Sequence, residues 1–83
     1  MKKYFYGIRG IEFVWHGAWS DPELIWHKKS FNYFDVENYL YDVYKEDAPA
    51  IDFDIWVKKN AYLARECLQN LLDAKIFYGG TLQ

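Results

Sequence analysis

At 83 residues the chain has room for one hydrophobic core and not for two. A net charge of −2 and a pI of about 5.6 lack the basic excess of a typical nucleic-acid module. The single cysteine, Cys67, rules out an intrachain disulfide and points to a cytoplasmic protein, and neither a signal peptide nor an apolar run of about 18 residues is found.

Six Phe, four Trp and eight Tyr make up 22% of the residues. A core this small cannot hide them all, so several Tyr and Trp rings are expected at the surface. Exposed apolar area of that kind marks contacts, which predicts a homodimer or a hetero-complex.

Residues 4–9 and 11–16 are rich in aromatic and β-branched side chains. Ile11, Phe13 and Trp15 alternate with Glu12, Val14 and His16, the pattern of a strand. Gly7 and Gly10 allow either a hairpin or one kinked strand. A loop follows over residues 17–22, where Asp21-Pro22 suits the start of a type I turn. Alternation resumes over residues 23–29, with Leu24, Trp26 and Lys28 opposite Ile25, His27 and Lys29.

From Asn32 the period lengthens. Val36, Tyr39, Leu40, Val43 and Tyr44 make a helical stripe, with Asp35 as the expected N-cap and Phe34 and Tyr39 as a hydrophobic staple. Pro49 ends it, because Ala48 is pushed out of the helical region. Asp52 begins a second helix, with Ile51 and Trp56 in the staple positions. Phe53, Trp56, Val57, Ala61, Ala64, Leu68, Leu71 and Leu72 form its apolar face. Asp54, Lys58, Tyr62, Arg65, Gln69 and Asp73 run down the other side, and Gly79-Gly80 sets the latest end before a frayed tail at 81–83. The expected fold is α+β: one domain over residues 1–83, with a two- or three-stranded antiparallel meander followed by two amphipathic helices packed on it.

His16 and His27 each follow a tryptophan. Antiparallel pairing of their strands would bring the two rings near one another, and a third ligand would make a metal site. No close ligand spacing supports this, and ordinary strand-end histidines are the simpler reading. Cys67 lies beside Leu68 and Leu71 on an apolar face, where a thiol is a small hydrophobe rather than a nucleophile. Lys2, Lys3, Arg9, His27, Lys28 and Lys29 would make a basic sheet edge for nucleic acid, a use that the negative net charge disfavours. Residues 31–54 hold seven acids (Asp35, Glu37, Asp42, Glu46, Asp47, Asp52, Asp54) against Lys45 alone. Asp52 and Asp54 suit a helix N-terminus. Asp42, Glu46 and Asp47 suit either a solvated face or a docking surface, and Asp42 and Glu46 share one stripe at i and i+4.

The stretches Gly10-Ile11-Glu12-Phe13-Val14-Trp15-His16-Gly17, Trp19-Ser20-Asp21-Pro22-Glu23-Leu24 and Phe31-Asn32-Tyr33-Phe34-Asp35-Val36-Glu37 resemble small uncharacterised proteins of phages and mobile elements of Gram-positive bacteria. That resemblance implies a setting in which small proteins bind host or phage machinery, anti-defence inhibitors among them; it carries no residue role. The expectation is a non-enzymatic module without cofactor or metal. It would bind a protein partner through Asp42, Glu46 and Asp47 or through Trp19, Tyr33 and Tyr41. The rivals are a nucleic-acid accessory protein using the basic edge and a metal-dependent enzyme using His16 and His27.

Overall fold

A computed structural model describes residues 2–78. Strands β1 (Lys2–Tyr4), β2 (Glu12–Val14), β3 (Glu23–Trp26) and β4 (Lys29–Asn32) form one antiparallel sheet in sequence order. Helices α1 (Tyr33–Asp47), α2 (Phe53–Lys59) and α3 (Ala61–Asp73) follow. The α+β meander with helices packed on it is the expected class. The sheet gains a fourth strand, and the second helix is divided in two.

The first connection is a hairpin, with Lys2 opposite Val14 and Tyr4 opposite Glu12. Its loop opens with a 3-10 turn, Phe5–Gly7, closed by Ile8 N–H donating to the Phe5 carbonyl at 2.8 Å. Phe5, Ile8 and Ile11 point inward and are buried, so this loop is part of the core. Tyr6 sits at φ 46°, a left-handed conformation that costs a bulky L-residue about 1–2 kcal/mol.

Residues 23–29 are not one strand. Trp26 pairs with Lys29 across a two-residue turn whose central residues, His27 and Lys28, have φ of 52° and 64°. Both signs are positive, as a type I′ hairpin turn requires. Asn-Gly would be the usual occupant; here His27 and Lys28 adopt the strained backbone themselves.

Asn32 caps α1, its side-chain oxygen accepting from Phe34 N–H at 2.8 Å and Asp35 N–H at 3.3 Å. Asp35 is therefore a first-turn residue rather than the cap, and the Phe34–Tyr39 staple loses its positions. At the other end Ala48, at φ 47°, stops the helix ahead of Pro49 as expected. Asp52 is the N-cap residue of α2, although its side chain makes no capping hydrogen bond. The long second helix breaks at Asn60, with φ −117° and ψ 40°. The Asn60 side-chain amide donates to the Trp56 carbonyl at 2.8 Å, an alternative to continued helix that Asn readily offers. The α3 terminus is a Schellman motif: Ile76 N–H reaches the Leu71 carbonyl and Lys75 N–H the Leu72 carbonyl. Lys75 takes the left-handed slot that glycine normally fills, at φ 60°. The chain then returns to the sheet, where Tyr78 N–H donates to the Ser30 carbonyl at 2.8 Å. Gly79, Gly80 and the tail at 81–83 lie outside the described residues.

One core joins the layers. Leu24, Trp26 and Phe31 from the sheet meet Val36 and Leu40 of α1, Trp56 and Val57 of α2, and Ala64, Cys67 and Leu68 of α3. The apolar face expected for residues 53–72 points inward: Trp56, Val57, Ala64 and Leu68 are buried, and Phe53, Ala61, Leu71 and Leu72 pack against them. Its polar counterparts, from Asp54 to Asp73, are exposed. No helix among the described residues is long and apolar enough to cross a membrane.

Candidate interaction surface

Helix α1 has one flank knitted into the fold and one facing solvent. Asp42 and Glu46 are exposed on the second flank. Lys45 Nζ lies 3.7 Å from Asp42, an exposed pair that contributes little. Asp47 behaves differently, because its Oδ2 accepts from the Trp56 indole N–H at 3.1 Å. It braces the α1–α2 joint and is tied to the core through Trp56.

Two of the three aromatic candidates also belong partly to the fold. The Tyr33 hydroxyl donates to Glu37 Oε2, and the Tyr6 hydroxyl donates to the same oxygen at 2.8 Å. The two phenol oxygens lie 3.3 Å apart. Burial, and after it the hydrogen bond to Glu37, pushes the Tyr33 phenol far above its ordinary range; burial also raises Tyr6. Both phenols therefore stay neutral and hold the first loop onto α1, which offsets the left-handed strain at Tyr6. Sequence reasoning missed this cluster, since its members lie up to 31 residues apart and Glu37 reads as one acid among seven. Tyr41 is exposed at one edge, but its ring meets Phe53 at 5.4 Å and Tyr44 at 5.9 Å, with Lys45 Nζ 5.1 Å from its centroid.

Trp19 has no such role. It sits in the β2–β3 loop with a relative exposure of 101%. Gly17, at φ 126°, shapes this loop, and Ser20 N–H donates back to the Gly17 carbonyl at 3.3 Å. Trp15 at the start of the loop and Phe34 in the first turn of α1 are also exposed. The Pro22 carbonyl accepts from Tyr33 N–H at 3.1 Å, which anchors the loop's far end to α1. Trp15 stacks on Phe13 at 6.4 Å, Phe13 meets Tyr33 at 5.2 Å, and Tyr33 meets Phe34 at 5.2 Å. These two exposed rings thus stand on half-buried ones, while the Trp19 indole extends into solvent.

The residues of the rival readings are dispersed. Extending the β2–β3 register puts His16 level with Asp21, six residues from His27 along the ladder, or roughly 20 Å. Antiparallel pairing therefore separates the two rings instead of joining them. His16 Nε2 lies 3.4 Å from Glu23 Oε2, whose other oxygen accepts from Ser30 Oγ at 2.6 Å. Among the described residues no three His, Cys, Asp or Glu are grouped to hold a metal. Burial pushes the Cys67 thiol up to about 11, as suits a core residue. The basic residues are split as well: Lys2 and Lys3 are on β1 and Lys29 on β4, at opposite edges of the sheet roughly 14 Å apart.

A groove of about 380 Å³ lies where the end of α1 meets the α2–α3 break, and Glu46 and Asp47 are on its lining. No protein-family model, curated protein or solved structure matches the chain. Function is therefore read from these surfaces.

Proposed function

We propose that the protein is a non-enzymatic interaction module that binds a protein partner through the surface around its β2–β3 loop, with Trp19 as the anchor. The observation that carries this reading is the complete exposure of Trp19 in a loop that starts at the exposed ring of Trp15. Tryptophan is the side chain most enriched at interface hot spots, where truncation costs about 2 kcal/mol or more. An indole left wholly in water contributes nothing to the core, so its apolar area is available to a partner. The acidic flank of α1 adds charge that can steer a basic partner to the surface. A second copy of the chain is one form the partner can take. The resemblance to small phage and mobile-element proteins favours a host protein, as an anti-defence inhibitor would require.

The test is quantitative capture from a Gram-positive host lysate, comparing the intact protein with Trp19→Ala and with Asp42→Lys/Glu46→Lys. A partner held by the intact protein and lost from Trp19→Ala supports the reading. Loss with the acid reversals alone would move the contact to α1.

A further inference from the structure

The break at Asn60 has a consequence beyond helix geometry. It turns α3 away from α2 and opens the groove against the last turn of α1. Val43, Trp56 and Leu63 contribute apolar surface; Glu46, Asp47 and Tyr62 contribute carboxylates and an aromatic ring. We propose that this groove receives an arginine side chain of the protein partner, an inference that rests on the interaction-module reading and adds a second contact to it.

Charge complementarity selects the occupant. Two carboxylates line the groove, and among the described residues no lysine, arginine or histidine does. A cation is therefore favoured, and the apolar side chains of Val43 and Leu63 beside the carboxylates suit one that arrives on a methylene stem. Asp47 is already oriented, because the Trp56 indole holds Oδ2 and leaves Oδ1 to accept from outside. Preorganised acceptors lower the entropic cost of binding. Tyr62 is 63% exposed, so its ring is open to stacking. A planar guanidinium uses both features together, forking onto carboxylate oxygens while lying on an aromatic face; an ammonium is a point charge and uses one. The volume sits at the low end of the range of about 300–1,000 Å³ for ligand sites, which suits a side chain better than a large free ligand. Asp42 lies one turn back on the same flank as Glu46, where a second basic residue of the partner segment would meet it.

The experiment is an NMR titration of the full chain with three blocked hexapeptides, identical except for two arginines, two lysines or two citrullines, and with spermidine as a free amine. The arginine peptide should give saturable shifts centred on the Trp56 indole N–H and the Asn60 side-chain amide. It should bind more tightly than the lysine peptide, and the citrulline peptide should bind about tenfold or more weakly for want of charge-assisted hydrogen bonds. Glu46→Gln and Tyr62→Ala should each weaken the arginine peptide with the melting temperature unchanged, both side chains being exposed. Equal binding by citrulline, shifts centred elsewhere, or spermidine saturating the groove at lower concentration than the arginine peptide would overturn the inference. If no peptide binds while Trp19→Ala abolishes capture, the groove inference falls and the module reading stands. If the arginine peptide binds as described while Trp19→Ala leaves capture intact, the groove stands and the Trp19 surface falls.

Discussion

The α1–α2 joint and the β2–β3 loop each hold a tryptophan, and they use it in opposite ways. Trp56 is 3% exposed, with its indole N–H bonded to Asp47 and its ring 5.5 Å from Tyr44 and 6.3 Å from Phe53. Trp19 is wholly in solvent. The difference lies in the neighbours that local structure provides. A helical position presents its ring alongside residues three and four away, so Phe53, three residues back, shares one apolar face with Trp56. A loop position between Ala18 and Ser20 has no such companions. Aromatic content therefore says how many rings a chain has, while the period around each ring says which ones the fold consumes.

Breaking the joint should have the largest effect. Trp56→Ala removes a buried ring and leaves Asp47 without its donor; the expected loss is about 3–5 kcal/mol, read from denaturant unfolding. An unchanged unfolding midpoint would show that this region is no better packed than the loop. The next effect belongs to the polar clasp that fixes the first loop to α1. Glu37→Ala leaves two half-buried phenols without their acceptor and should cost about 1–3 kcal/mol.

The same clasp has a pH signature. Tyr6 and Tyr33 have folded-state pKa values raised above the ordinary 10.0, so folding favours their neutral forms. That contribution is complete below pH 10.0 and is lost as pH rises through the folded values. Stability from this source should hold up to pH 10.0 and fall above it, and Tyr33→Phe should show a shallower alkaline fall. An alkaline profile identical in the two proteins would count against the clasp. On the solvent side the effects shrink. Reversing Asp42 and Glu46 to Lys should change stability by only a few tenths of a kcal/mol, as expected for exposed charges at i and i+4.

The legible parts of the fold were those with a period. The meander and the inward face of residues 53–72 followed from alternation and from the helical stripe. What escaped were left-handed backbones without glycine. His27, Lys28 and Lys75 take positions that Asn or Gly would advertise, so the β3–β4 turn and the end of α3 left no mark. The cap of α1 was ambiguous because Asn32 and Asp35 are both good capping residues, and only the backbone path decides between them. Of the candidate contact residues, Trp19 was legible as a loop aromatic, and Asp42 and Glu46 as a shared stripe. The engagement of Asp47 by Trp56 and of Tyr33 by Glu37 was not, because a charge or hydroxyl in a sequence does not disclose its hydrogen-bond partner.

The contrast between the two tryptophans rests most directly on Trp19→Ala, assayed for unfolding and for partner capture on the same sample. The account predicts stability within about 0.5 kcal/mol of the intact protein, as for a surface substitution, together with loss of the protein that the intact chain enriches. A folded Trp19→Ala protein that retains the same partner at the same level would contradict it, as would an intact chain that enriches no protein.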